Sequence, residues 1–425
     1  MANRPTVSGP RPKHAASLQA LVGLLAPGER VYLPGSTAEP RGLTEALCGA
    51  DAPTLAITAS YVPGVNAIPL QRLPENTTWT SMFAPPTTAE AQSSGRYRHL
   101  PMSYSAFGRH VQRDLQFDTT IVHVSLPDAD GLCSLGPAVE FTPTAVAKSR
   151  RVLAVLNARV PRLRHSASMP LARFAAVAEI DAPLCAYDVG APSPQAEAIA
   201  SVLAGFVHDG ATLQIGLGKV PDALMARLTD RRGLKLFSGM LSDGARKLAD
   251  GGSLDPCFKH TCCVQLGTAA YYDWLADRDD FAVLGCDITH AAASLLRLDR
   301  FVAVNSALSV DLFGQANLEM LGGRMVSGCG GAPDYAGGAG LSPGGVSIVA
   351  LPATGGRDEV TRIVARLDGI CSLPRTAIDV VVTEHGAADL RGLTVVERGE
   401  RLIAVAAPQH RAALTEAWRA IAKNL

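Results

Sequence analysis

The chain has 425 residues, 47% of them apolar and 18% charged, with 39 basic and 39 acidic side chains and a formal net charge of +0. That length accommodates two or three domains with sizeable cores, and the composition excludes a disordered or fibrous chain. The charge balance excludes the global field that nucleic acid or an anionic membrane would need, while a local anion site stays open.

No apolar run reaches the ~18–20 residues of a membrane span. The start MANRPTVSGPRPKH is polar and Pro-rich and lacks the apolar core of a secretory signal. A cytoplasmic protein without membrane or nucleic-acid partners is therefore expected. The nine cysteines are odd in number and show no disulfide-like spacing, which suits small buried apolar residues in a reducing compartment. Cys257, His260, Cys262 and Cys263 cluster in CFKHTCC. Their spacing matches no common zinc pattern, and no metal is expected.

In chain order, Val31–Pro34 reads as a strand, Gly35 as a tight turn and Glu39–Leu47 as a helix. Thr54–Ala59 is a second strand, whereas residues 60–119 are mixed and Pro-rich and yield no order. Thr120–Ser125 and Val152–Leu156 read as buried strands, separated by a helix after Pro143. His123 lies inside an apolar strand and reads as a core histidine.

The segment Asp188–Gln195 (DVGAPSPQ) combines glycine, serine and two prolines after an apolar run, and places a boundary between domains 1–190 and 191–425. A helix over Gln195–Phe206 and a strand over Thr212–Ile215 follow. Gly216-Leu217-Gly218 is then a turn and Pro221–Leu228 a helix. Strand, GxG turn and helix form a phosphate-cradling geometry, because free N–H groups at a helix start favour an anion. Pro221 stands where a dinucleotide fingerprint carries its third glycine, so no nicotinamide or flavin is expected. VYLPGSTAEPRGLTEAL and LQIGLGKVPDALMARL share one order of strand, glycine turn, proline and helix, as two halves on related plans would.

Further strands are read at Phe281–Leu284, Phe301–Val304, Val346–Leu351 and Asp379–Thr383, and helices at Asp358–Arg366 and His410–Ile421. Such alternation predicts an α/β fold with largely parallel sheets flanked by helices. Between two of these strands lies Ser327–Gly345, with glycine at 328, 330, 331, 337, 338, 340, 344 and 345. It is either backbone presented to a ligand or a long ordered crossing loop.

Seven phrases line up in order: GLCSLGPAVEFT, LQIGLGKVPDAL, FSGMLSDG, VNSALSVDLFGQANLE, SGCGGAPDY, GGVSIVALPAT and VVTEHGAADLRG. Together they resemble the acetyl-CoA hydrolase/transferase family, which includes 4-hydroxybutyrate CoA-transferase, from about Val31 to about Leu414. The resemblance implies two CoA-transferase-type α/β domains and a homodimer. It implies no permanently bound cofactor, coenzyme A as a substrate and a small carboxylic acid as partner. The chemistry it implies is ping-pong transfer, in which a glutamate attacks an acyl-CoA thioester and passes through an anhydride to a glutamyl-CoA thioester. A carboxylate is a modest nucleophile and needs positioning and an oxyanion hole. By the resemblance Gly330 and Gly331 form that hole, Gly216, Leu217, Gly218, Lys219 and Val220 lie along CoA, and Asn305 stands near the reacting centre.

The chain departs from the family at the nucleophile. The family's Ser/Thr-Glu-Met phrase before SDG is Ser238-Gly239-Met240 here, so glycine occupies the glutamate position. Ala332 replaces a usual glutamine, and Val346 a lysine in the family's GGKS phrase. Four readings stay open. The protein is a transferase using another carboxylate, Glu140 or Glu384; a hydrolase in which Glu140, Glu384 or a histidine such as His385 activates water; an enzyme of different chemistry on a CoA ester or β-keto substrate; or a non-catalytic binder of CoA esters. Glu140 and Glu384 equally suit a helix cap or an ion pair. Cys329, inside the glycine run, would need a lowered pKa to act as a nucleophile and otherwise fills space.

Overall fold

Largely apolar, β-branched runs such as TTIVHV and VSIVA, buried at every position, become central strands of parallel sheets, which are covered on both faces and have no polar side to alternate with. The computed structural model describes residues 11–356 and 359–425. Most of the start that was read for a leader therefore lies outside the described residues. The chain forms two compact units: Met1–Pro101 with Ala106–Tyr187 and Thr261–Ile288, and Met102–Ser105 with Asp188–His260 and Thr289–Leu425. The chain thus changes unit at Asp188, within the Pro/Gly-rich segment, and one later stretch belongs with the first unit.

The large sheet of the first unit has eight strands: β1 (Lys13–His14), β2 (Arg30–Leu33), β3 (Ala56–Ala59), β4 (Thr78–Ser81), β5 (Tyr97–His99), β6 (Phe117–Val124), β7 (Ser149–Asn157) and β8 (Ala176–Ile180). They form one sheet in the order β1-β8-β7-β6-β2-β3-β4-β5, parallel throughout. The chain runs outward from β2 to β5 and then returns to the other side of β2. The topological switch, where open α/β sheets bind ligands, therefore lies past the C-terminal ends of β2 and β6. Val31, Leu33, Ile57, Trp79, Ile121 and Leu153 belong to one buried core under this sheet. Gly35 makes the turn after β2 because the Ser60 carbonyl oxygen would lie 2.1 Å from any Cβ there. The helix expected over Glu39–Leu47 is shorter: a 3-10 turn at Ser36–Ala38 precedes an α-helix over Leu43–Leu47.

The second unit repeats the plan with β9 (Thr212–Gln214), β10 (Lys235–Leu236), β11 (Phe301–Ser306), β12 (Val346–Ala350), β13 (Val380–Thr383) and β14 (Gly386–Asp389). Their order is β10-β9-β11-β12-β13-β14, with β14 antiparallel. The switch falls between β9 and β11. Val349, Val381, Leu402 and Trp418 share a buried core.

Two readings are corrected. Val360–Thr361 and Ile363–Val364 are short strands, so residues 359–366 are not the expected helix, and Asp358 lies outside the described residues. The β-branched run VTRIV suits a pleat better than a helix. Ser327–Gly345 is not one loop, because Ala332–Leu341 is an α-helix containing three of the glycines. Gly338 belongs there for packing: a Cβ would stand 2.8 Å from the Leu295 Cβ. Phe281–Val283 is a strand, but outside both large sheets.

Candidate active site

At the switch of the second sheet, β9 ends in Gln214 and the chain turns through Gly216–Gly218 into the helix Lys219–Arg227. Gly218 adopts φ 124°, a region L side chains rarely enter, and aims the first helical turn. Lys219 is exposed beside that turn, where N–H groups and cation together suit a phosphate. On the neighbouring strand β11, Asn305 lies two residues beyond Ala303, the register partner of Gln214, so both amides project from one face of the sheet. Both are buried, and neither Gln214 Oε1 nor Asn305 Nδ2 has a hydrogen-bond partner among the described residues. A buried unpaired polar atom costs about 1–3 kcal/mol, so two adjacent ones at a switch point mark a place for a polar ligand.

The glycine turn is clamped to the segment that carries Gly239. Ser238 Oγ donates to the Ile215 carbonyl at 2.7 Å and accepts from the Ile215 amide at 3.3 Å. A Cβ at Gly239 would lie 3.3 Å from His290 Nε2, 3.4 Å from the Tyr335 hydroxyl and 3.5 Å from His290 Cε1. None of these nearest atoms is a carboxylate. The same imidazole meets the glycine cradle: a Cβ at Gly331 would lie 2.6 Å from Nε2, 2.8 Å from Cδ2 and 3.1 Å from the Tyr335 ring. Gly331 is therefore glycine because His290 and Tyr335 occupy the space. Gly330 at φ 57° turns the chain into the helix Ala332–Leu341, for which Gly331 is the N-cap. Among the described residues neither the Gly330 nor the Gly331 amide donates to a backbone carbonyl.

His290 is held on three sides. Its ring stacks on Tyr104 at 4.7 Å and 21°, packs against Tyr335 at 4.8 Å, and brings Nδ1 to 2.9 Å from Thr289 Oγ1. Tyr104 is stapled in turn. Its amide donates to the Gly330 carbonyl at 3.1 Å, while the Ser103 and Ser105 hydroxyls donate to Asp334 at 2.8 and 2.6 Å. Burial pulls the His290 pKa down to about 3, so the resting ring is neutral. Cys329, next to Gly330, moves the other way: burial, with Glu319 and Asp334 nearby, pushes its thiol up to about 12. It is a thiol at neutral pH, which removes the condition its nucleophile reading needed.

The two candidate carboxylates have separate surroundings. Glu384 spends both oxygens on bracing: Gln195 Nε2 donates to one at 2.5 Å and the Ala353 amide to the other at 2.8 Å. His385 Nε2 stands 4.0 Å away from it. Glu140 belongs to the first unit and is buried past the switch of that sheet. The Ser60 hydroxyl donates to it at 2.8 Å and the Ser36 hydroxyl at 3.4 Å. Glu140 and Ser36 have φ of 41° and 52°, strained for residues with a Cβ, and strain of this kind collects at functional sites. Burial, then the Glu140 charge, raises the pKa of nearby Tyr32. His123 is a core histidine as read, bonded to Asn157 at 3.0 Å.

Sequence reading missed His290 and Tyr104. His290 sits in ITHAAAS with no motif spacing, and Tyr104 in the stretch that yielded no order. Tyr335 was visible only as the last letter of GGAPDY.

Comparison with known proteins places these observations. Residues 9–183 match the model of the acetyl-CoA hydrolase/transferase N-terminal domain, and residues 267–418 that of the C-terminal domain. The chain is 31% identical over 349 residues to a 4-hydroxybutyrate coenzyme A transferase of Clostridium kluyveri, covering 80% of this chain and 81% of that one. It is 25% identical over 389 residues to an acetyl-CoA hydrolase of Kluyveromyces lactis, covering 77% and 72%. The crystal structure of RipA from Yersinia pestis is similar with a TM-score of 0.88 and 26% identity, covering 96% of this chain and 97% of that one.

Proposed function

The chain belongs to the acetyl-CoA hydrolase/transferase family, and from that premise we propose that it processes short-chain acyl-CoA thioesters at the switch point of its second unit. Gly216–Val220 lies along CoA, with Lys219 toward a phosphate, and Asn305 offers its unpaired amide near the reacting centre. Gly330 and Gly331 hold the thioester carbonyl through their amides. One observation carries this reading: Ser238 ties the CoA turn to Gly239, and His290 ties Gly239 to Gly331, so three separated phrases form one constellation.

Glycine at 239 cannot form a glutamyl-CoA thioester. The reading therefore favours direct attack on the held carbonyl, by water or by an acid. Incubation of the full chain with acetyl-CoA, with and without added carboxylic acids, should release free CoA without leaving CoA on the protein. Mass spectrometry that finds a covalent CoA adduct would sink it. The strained, buried Glu140 favours a second reading, transfer through that carboxylate, which the same spectrum would show as an adduct on the Glu140 peptide. Tight binding of CoA esters without turnover would leave a non-catalytic binder. In Gly239→Glu the new side chain starts 3.3 Å from His290 Nε2, and a CoA adduct on that glutamate is expected if the cradle works as proposed. The homodimer and the cytoplasmic location belong to the same proposal, and sedimentation tests the first.

A further inference from the structure

The proposed acyl-CoA site, on which this inference rests, has a cradle for the carbonyl and no side chain at position 239 to attack it. One imidazole edge faces both places. His290 Nε2 is the nearest atom to a Cβ at Gly239, at 3.3 Å, and to a Cβ at Gly331, at 2.6 Å. The other ring nitrogen is engaged, with Nδ1 at 2.9 Å from Thr289 Oγ1. When Nδ1–H donates to that hydroxyl, Nε2 carries the lone pair and points at the gap. Tyr104 and Tyr335 fix the plane of the ring. A ring placed only to fill volume has no need of an engaged Nδ1 or of a nitrogen aimed at two glycines.

We propose that His290 is the general base of an acyl-CoA hydrolysis, taking a proton from a water molecule that sits where the side chain at position 239 is missing. As the water oxygen bonds to the thioester carbon, its proton passes to Nε2, and the carbonyl oxygen becomes an oxyanion facing the Gly330 and Gly331 amides. The C–S bond then breaks, the thiolate of CoA leaves with its electron pair, and the imidazolium returns the proton to it. Thioester and water become carboxylic acid and free thiol, with no other reactant. Burial keeps the ring unprotonated at rest, and the charge it takes up is matched by the oxyanion forming a few ångströms away. The Tyr335 hydroxyl, 3.4 Å from the same Cβ position, gives the water a second polar neighbour.

The test uses the full chain with acetyl-, propionyl-, butyryl- and succinyl-CoA in 18O-labelled water. At least one thioester should yield free CoA without an acceptor acid, and the product acid should carry one 18O from solvent. His290→Gln should lower kcat about 100-fold or more, the range lost with a general base, with KM within a few-fold. His290→Ala should lose activity equally and regain part of it when imidazole is added to the buffer, which a structural role would not produce. A Gln variant that hydrolyses at the wild-type rate overturns the base assignment, and so does an Ala variant that imidazole leaves unchanged. Wild-type protein that binds a non-hydrolysable butyryl-CoA thioether but hydrolyses none of the four thioesters overturns it as well, while leaving the binding site standing. Failure of the wild type to bind the thioether removes the site reading itself.

Discussion

Gly331→Ala is the sharpest probe of how the site is packed. The added methyl would stand 2.6 and 2.8 Å from two imidazole atoms of His290 and 3.1 Å from the Tyr335 ring. His290 cannot retreat freely, because Tyr104 stacks on it at 4.7 Å and is tied to the Gly330 carbonyl. Gly331 has φ −88°, so the cost is steric and not conformational. Overpacking of this kind costs about 1–3 kcal/mol. For a unit of roughly 200 residues, about 2 kcal/mol lowers the melting temperature by roughly 4–8 °C. Gly239→Ala is the control: its methyl meets the same two residues at 3.3–3.5 Å, a strain of tenths of an ångström and less than about 1 kcal/mol. Thermal unfolding of both variants followed by circular dichroism, alongside CoA release from acetyl-CoA, measures the contrast. Gly331→Ala melting with the wild type, or Gly239→Ala melting as low as Gly331→Ala, would refute the packing argument.

Within the helix Ala332–Leu341, Gly337 has open space around a Cβ while Gly338 would press on Leu295. Gly337→Ala should therefore stabilise by about 0.5–1 kcal/mol and Gly338→Ala should destabilise, as denaturant midpoints would show. Burial depresses His123 to a pKa of about 4 and His290 to about 3. Their unfolded forms bind protons near pH 6.5, so the stability from keeping them neutral is complete above that pH and is lost as pH falls toward the folded values. From pH 7 to pH 5 each should cost roughly 2 kcal/mol. The melting temperature should fall over that range, less steeply in His290→Gln, and a flat profile would contradict the assignment. Cys329, with its pKa near 12, should resist iodoacetamide at pH 8 while exposed Cys257 is labelled, as peptide mapping would record.

Much of the fold was readable because β2, β6, β7, β11, β12 and β13 are buried at most successive positions and appear as largely apolar runs. The strands β4, β5 and β10 are short and mix polar with apolar residues, as in TWTS, YRH and KL, and no period distinguishes them from loop. The glycine run misled for a related reason. Glycine in a helix has the composition of a loop, and only a neighbour such as Leu295 explains its presence.

By itself the sequence determined the α/β class, the family, the two glycine turns and the glycine at position 239, since these are properties of local pattern and of ordered motifs. Which atom faces Gly239 was decided only by tertiary structure. Tyr104, Gly239, His290 and the helix start Gly331–Tyr335 lie far apart along the chain and meet because strand order, helix placement and the Asp334 staple bring them together. A histidine in ITHAAAS has no chemistry to announce until the fold sets its ring nitrogen between two glycines.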